Sequence, residues 1–281
     1  MKAAPFGYRA PAELSEACEL LAAHGPAAMP LAGGQSLVPL LARRAARPRL
    51  LIDLNRVAGL EGIHDQGGTV TIGALTRQHA VGESALVAGK LPLLAAAIPW
   101  IGHPQVRYRG TIGGSMVVAH PAAELPAVAL ALDAVFVTMS TGGGRNIPAA
   151  EFFGGAIRPD EVLTQIRFPV PPPGCGHGIA EVTRRGRDFA VAGAAVMLRA
   201  DGAHRVALMG LASTPRRAYR AEQLVTEGPP TAAAIARAVA SDIEPQDDML
   251  ATASYRQAVA AVVVQRALSE AAGRRRNGGV A

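Results

Sequence analysis

Leu31-Ala32-Gly33-Gly34-Gln35-Ser36-Leu37 closes an apolar run that starts at Ala28, and the run ends on two glycines followed by a polar Gln-Ser step. A strand that delivers its chain into such a turn lets successive backbone N–H groups face one concavity, a nest that binds phosphate oxygens. Glycine suits the position because a Cβ would forbid positive φ angles and block close approach of a phosphate. Ser36 adds a hydroxyl donor. Alone, the motif is more often a plain strand-to-helix turn, since glycine pairs are common in turns.

The same design recurs far along the chain at Arg109-Gly110-Thr111-Ile112-Gly113-Gly114-Ser115. A diphosphate has two phosphoryl groups, and two nests approaching from opposite sides can clamp both without a lysine, so the pair of loops points to a dinucleotide. A nucleoside triphosphatase does not fit, because neither loop is followed by the Lys-Ser/Thr pair of a P-loop. A Rossmann site does not fit either, because its glycines fall as G-x-G-x-x-G within one strand-turn-helix unit.

Outward from these loops, short β-like runs alternate with helical ones. The pattern predicts a helix over 15–23 and a buried strand over Leu50 to Leu54. Thr69 to Gly73 has the period-two alternation of a half-exposed strand. Thr76 is placed to cap a helix running to Val87, and Leu91 to Ile98 reads as a second helix closed by Pro99. Further on come a short buried helix over Pro126 to Leu132, a strand over Ala134 to Met139 meeting the Gly142-Gly143-Gly144 turn, and a strand over Glu161 to Phe168. Pro169, Pro171, Pro172, Pro173 and Gly174 cannot continue any regular element, which puts the main domain boundary there. Beyond it, Val191 to Arg199 and His204 to Leu211 flank Asp201-Gly202 as a tight hairpin, and two alanine-rich helices follow over Thr231 to Ile243 and Ser254 to Ala272. The tail from Arg274 is expected to fray.

A chain of 281 residues, 49% hydrophobic and 18% charged, reads as a globular protein of about two domains. The formal charge of +6 comes almost wholly from arginine, Lys2 and Lys90 being the only lysines. Its basic clusters (Arg43, Arg44, Arg47 and Arg49; Arg184, Arg185 and Arg187; Arg216, Arg217 and Arg220; Arg274 to Arg276) are dispersed and lack interleaved aromatics, so no nucleic-acid partner is expected. Cys18 and Cys175 form neither a disulfide framework nor a metal-binding spacing, so no metal site is expected in this chain. Met1 to Arg9 lacks the apolar core of an export signal, and the runs Leu91 to Ile101 and Leu125 to Leu132 fall short of the ~18 residues of a membrane span. A cytoplasmic location is the expectation. No Ser-His-Asp arrangement is visible, and no catalytic residue is assigned. Isolated histidines such as His103 and His120 read as surface or hydrogen-bonded residues, and Trp100 as a filler of a hydrophobic gap.

Ala32-Gly33-Gly34-Gln35-Ser36 and Thr111-Ile112-Gly113-Gly114-Ser115 resemble the two FAD-pyrophosphate signatures of the medium subunits of carbon monoxide dehydrogenase and related molybdenum hydroxylases, including the flavin segment of xanthine dehydrogenase. Five further stretches resemble the family in the same order: Leu51 to Arg56, Ile72 to Thr76, Pro104 to Arg107, Pro121 to Pro126 and Arg184 to Ala190. The resemblance implies an α+β chain: a two-subdomain FAD-binding domain of the PCMH/vanillyl-alcohol-oxidase type over 1–173 (subdomains about 1–56 and 57–173), then a smaller α+β C-terminal domain over 174–281 with an antiparallel sheet and helices. It implies a non-covalent FAD held by Ala32, Gly33, Gly34, Gln35, Ser36 and Leu37 at one phosphate and Thr111, Ile112, Gly113, Gly114 and Ser115 at the other, through backbone N–H groups above all. Glu124 would lie on the ribityl or phosphate side, where the helix dipole also favours a carboxylate. The backbone of Leu163 would lie near the isoalloxazine ring.

The implied function is electron transfer. FAD on this chain would pass electrons to an external acceptor, receiving them from [2Fe-2S] clusters on a small iron–sulfur subunit fed by a molybdenum-pterin centre on a large subunit, in a dimer of heterotrimers. The sequence departs from the family at four places. Met29 stands where many relatives have lysine, Tyr108 replaces an asparagine, His120 an aspartate, and Glu181 falls where a lysine near the flavin is usual. These departures bear on cofactor affinity and potential. Two other readings stay open: a free-standing FAD-dependent oxidoreductase, and a degenerate subunit that serves assembly.

Overall fold

The computed structural model describes residues 2–276. The chain forms two compact units that interleave along the sequence. The first takes the chain up to Val81, then His103–Val118 and Val135–Arg167; the second takes Gly82–Gly102, Ala119–Ala134 and the chain from Phe168 onward.

The first unit holds two sheets. Strands β1 (Gly7–Arg9), β2 (Ala28–Leu31) and β3 (Leu50–Asp53) form a parallel sheet in the order β1-β3-β2. The central strand carries Leu50-Leu51-Ile52, a continuous apolar run, because a middle strand of a parallel sheet is buried on both faces. The helix Leu14–His24 buries Ala17, Cys18 and Leu21 in one core with Leu50, Ile52, Leu54, Leu75 and Val162. Strands β4 (Ile63–Asp65), β5 (Thr69–Gly73), β6 (Val135–Ser140), β7 (Gly143–Pro148) and β8 (Val162–Pro169) make a second sheet in the order β4-β5-β8-β6-β7. The chain turns between β6 and β7 at Thr141 and Gly142, while Gly143, at a φ of 106°, and Gly144 already pair with Ser140 and Met139 in the ladder instead of forming the turn.

The second unit is an antiparallel sheet of β9 (Gly176–Thr183), β10 (Ala190–Leu198), β11 (Arg205–Met209) and β12 (Arg216–Arg217) in the order β12-β11-β10-β9. Every residue of β10 is buried. The 24-residue helix Ala253–Arg276 packs a stripe of Ala260, Val263, Val264, Ala267 and Ala271 into this core. Two glycines two apart on β9 receive it: a Cβ on Gly176 would lie 2.0 Å from Ala271 O, and one on Gly178 2.1 Å from Ala267 O. All eight residues of the helix Glu124–Ala131 are buried, which explains a composition apolar on every side.

Five local expectations change. Thr69–Gly73 is a strand but not a half-exposed one, since Val70, Thr71, Ile72 and Gly73 are all buried. The helix expected from Thr76 to Val87 is two, Gln78–Glu83 and Ala85–Lys90, because Ser84 Oγ accepts from Val87 N–H and starts a new helix. Thr76 instead exchanges hydrogen bonds with the backbone of Gly62. The β10–β11 connection is longer than a two-residue turn: Met197 pairs with Arg205, Arg199 N–H donates to His204 Nδ1, and only Gly202 has a positive φ, of 79°. Arg274 to Arg276 stay helical, since Arg274 donates to His177 O and pairs with Glu270; the rest of the tail lies outside the described residues. Trp100 ends a short 3-10 turn, exposed instead of filling a gap.

Candidate functional site

The two glycine loops, far apart in sequence, meet in the first unit. A Cβ on Gly33 would lie 2.2 Å from Arg109 O and 2.9 Å from Gly110 Cα, so the loop backbones touch where Gly33 has no side chain. Gly34 has a φ of 74°, in the left-handed region that favours glycine. The chain then enters the helix Leu37–Ala42, with Val38 N–H donating to Gly34 O at 2.9 Å. The N–H groups of Gly34, Gln35 and Ser36 meet no acceptor among the described residues, and Gln35 and Ser36 are exposed. Three free donors in succession suit a phosphate.

The second loop is built differently from the expected nest. Ile112 N–H donates to Thr76 O, Gly113 N–H to Ala74 O, Gly114 N–H to Thr111 Oγ1 and Ser115 N–H to Thr111 O. None of these glycines has a positive φ. Gly113 is small because a Cβ there would lie 2.6 Å from Ala74, and Gly110 because a Cβ would lie 2.8 Å from Gln78 Oε1. Ile112 is fully buried, as the first residue of the helix Ile112–Val118. Gly114 and Ser115 are half-buried at the start of that helix. Ser115 Oγ accepts from Gln78 Nε2 at 2.7 Å, so its own hydrogen stays available to an acceptor. The first loop therefore offers backbone donors, and the second a hydroxyl at the positive end of a short helix.

Residues 74–78 template the second loop, since Gln78 N–H also donates to Gly110 O at 2.9 Å and Arg77 bridges to Thr111. From there Arg77 reaches back to the first loop. Its Nη1 donates to Arg109 O at 2.7 Å and its Nη2 to Asn55 Oδ1 at 2.8 Å, while Asn55 Nδ2 donates to Ala32 O at 3.0 Å. Asp53 holds Asn55 by its N–H and side chain, and Tyr8 donates its hydroxyl to Asp53. Sequence reading assigns no role to Asn55, Arg77 or Gln78. A polar residue just beyond a buried strand is the available signal for Asn55, which lies in the 3-10 turn Leu54–Arg56 after β3; nothing local marks Arg77.

Leu163 lies in β8, buried, paired with Thr138 beside a register shift in the β6–β8 ladder. Met29 sits in β2 opposite Leu51. Tyr108 is exposed, its ring centroid 3.8 Å from that of His79. His103 is exposed.

Glu124 belongs to the second unit, in the first turn of the helix Glu124–Ala131, and there it neighbours Glu181 of β9. Burial pushes the Glu124 carboxyl up to about 7. Burial, reinforced by the charge of Glu124, pushes Glu181 up to about 8. Neither Glu181 oxygen has a hydrogen-bond partner among the described residues. A lysine at 181 would be attracted to Glu124; a glutamate is tolerated because it keeps its proton. His120 stacks on Phe189 at 4.3 Å, accepts from Ala122 N–H through Nδ1, and is held below its ordinary pKa by burial.

The raised carboxyl of Glu181 makes stability depend on pH. In the unfolded chain Glu181 ionises near its ordinary 4.5, but in the folded chain only near 8. Across that window the folded state binds more protons, so stability falls as pH rises and levels off above the folded value. Glu181→Gln removes the ionisation and is expected to flatten the difference in stability between about pH 5 and about pH 8.5 by on the order of 2 kcal/mol. Urea unfolding at both pH values measures it, and an unchanged difference would exclude Glu181 as the source.

A family model described as the FAD binding domain in molybdopterin dehydrogenase matches residues 4–171, and one for the CO dehydrogenase flavoprotein C-terminal domain matches 179–271. The chain belongs to the FAD-binding subunits of the molybdopterin dehydrogenases. It is 40% identical over 288 residues to the 6-hydroxypseudooxynicotine dehydrogenase complex subunit alpha of Paenarthrobacter nicotinovorans, covering 98% of this chain and 97% of that one. It is 39% identical over 277 residues to the carbon monoxide dehydrogenase medium chain of Hydrogenophaga pseudoflava, covering 95% and 96%. The fold agrees: a structure of the carbon monoxide dehydrogenase of Hydrogenophaga pseudoflava superposes with a TM-score of 0.93 at 38% identity, covering 98% of this chain and 99% of that one. As a molybdopterin-dehydrogenase flavoprotein subunit, the chain is an FAD-binding oxidoreductase component. No helix among the described residues is long and apolar enough to cross a membrane.

Proposed function

We propose that this chain holds FAD non-covalently by its diphosphate at the two glycine loops and passes electrons from a partner's iron–sulfur clusters to an external acceptor. The observation that carries the proposal is the meeting of the loops: Gly33 abuts Arg109 and Gly110, with three unused N–H donors on one side and the Ser115 hydroxyl on the other. One phosphate would take the donors of Gly34, Gln35 and Ser36, with Ala32, Gly33 and Leu37 shaping that loop. The other would lie at Gly114 and Ser115, with Thr111, Ile112 and Gly113 fixing the turn. The Leu163 backbone is assigned to the ring end. Bound flavin supplies the redox chemistry, and the chain's own part is positioning and electrostatics.

The partners in this proposal are a large molybdopterin-binding subunit and a small iron–sulfur subunit, assembled as a dimer of heterotrimers in the cytoplasm. We place the boundary between the FAD-binding and C-terminal domains at Pro173, supported by the proline run between β8 and β9 and by the gap between the two family matches.

The test is flavin uptake by the purified chain. FAD is expected to stay with the folded protein through gel filtration, leave on denaturation, and be reoxidised by an artificial acceptor after chemical reduction. The chain alone should oxidise no organic substrate. Failure to take up FAD, or flavin remaining attached to the denatured chain, would overturn the proposal.

A further inference from the structure

We infer that Arg77, acting through Asn55, is the positioning residue that fixes the distance between the two phosphate loops and thereby sets how tightly a diphosphate-containing flavin is held; this rests on the FAD-binding proposal above. The two loops touch at Gly33 and Arg109, but a contact between backbones limits only how close they come. Something must also stop them from parting. Arg77 and Asn55 provide it as a continuous chain of hydrogen bonds. Ala32 O accepts from Asn55 Nδ2 at 3.0 Å, Asn55 Oδ1 accepts from Arg77 Nη2 at 2.8 Å, and Arg109 O accepts from Arg77 Nη1 at 2.7 Å. Ala32 directly precedes Gly33, and Arg109 O is the atom that Gly33 abuts, so the chain ties the loops beside the contact on one side and at it on the other.

The residue types are those the task requires. A guanidinium presents donors in a rigid planar fork, so one side chain can serve two acceptors in fixed directions. An amide presents a donor and an acceptor, and Asn55 uses both at once. Both ends of the chain are anchored. Asp53 accepts from Asn55 N–H at 2.9 Å and from Nδ2 at 2.5 Å, and the Arg77 backbone bridges to Thr111. Arg77 also brings a full positive charge to loops that contain no lysine, which favours an anion between them.

The distance between the loops matters to a ligand that touches both, and much less to one that touches one. FAD has two phosphates and FMN one, so the ratio of their affinities reports the gap. Arg77→Met, Asn55→Ala and the double variant, made in the full chain, should each raise the Kd for FAD about tenfold to thirtyfold. The double variant should be no worse than the weaker-binding single one, since both break the same chain. The preference for FAD over FMN should fall by a similar factor, and the flavin-free variants should melt close to the wild type. Asn55→Asp, which keeps an acceptor for Arg77 but loses the donor to Ala32, should resemble Asn55→Ala. Wild-type affinity in the single variants, additive losses in the double, or equal loss of FAD and FMN binding with a lowered flavin-free melting point would each overturn the inference. A wild-type chain that binds no FAD would overturn the functional proposal itself, and the inference with it.

Discussion

Gly33→Ala is expected to force the two loops apart and abolish FAD uptake. The added Cβ would have to share space with Arg109 O, 2.2 Å away, and with Gly110 Cα, 2.9 Å away. Both are backbone atoms, so no side-chain rotation relieves the clash. The Arg77 and Asn55 hydrogen bonds resist the displacement that would. Overpacking of this kind costs about 1–3 kcal/mol. The loss of binding should be larger than that cost suggests, because a diphosphate clamp depends on the relative placement of both loops. Gly114→Ala is the companion measurement. Its Cβ would meet only Thr111 Oγ1, at 2.8 Å, so the fold should persist and any loss of flavin would report directly on the phosphate side of the second loop. Visible absorbance after gel filtration, read beside thermal unfolding of the flavin-free chain, separates the two effects. Full flavin content in Gly33→Ala would mean that the loops are not held in contact.

Gly178→Val should destabilise the second unit by about 3 kcal/mol or more. The helix Ala253–Arg276 lies so close to β9 that Ala267 O would be 2.1 Å from a Cβ at Gly178. Its neighbour on the same face, Gly176, approaches Ala271 O as closely, so the helix cannot slide to relieve the clash. Ala267 and Ala271 are one helical turn apart, which matches the two glycines on alternate strand positions. The substitution must lift the helix and open the core of Ala194, Val196, Val263 and Val264. Urea unfolding and limited proteolysis of the C-terminal helix measure the outcome. Gly186→Ala is the neutral control, since a Cβ there would meet nothing within 4 Å. Equal stability of Gly178→Val and Gly186→Ala would show that the helix is not seated on the glycine face.

Most individual elements were legible in the sequence because their signals are local. The β3 run Leu50-Leu51-Ile52, the helix beginning near Thr231 and the paired glycine loops all follow from side-chain period, backbone freedom or a neighbouring donor, whereas β5 forms where its alternation predicts a strand but is buried throughout Val70 to Gly73. The family was legible for the same reason, since its two signatures are short and contiguous. What each glycine does was not. Of the glycines in the two motifs, Gly34 has a positive φ, whereas Gly33, Gly110 and Gly113 are glycine because a distant part of the chain occupies the place of a side chain. The same holds for Gly176 and Gly178. Nor could the sequence show that 82–102 and 119–134 pack with the chain beyond Phe168, that Glu124 comes to lie beside Glu181, or that Arg77 and Asn55 join the two loops. Those relations depend on which residues meet across long stretches of chain, and burial, crowding and charge pairing exist only once the fold has brought them together.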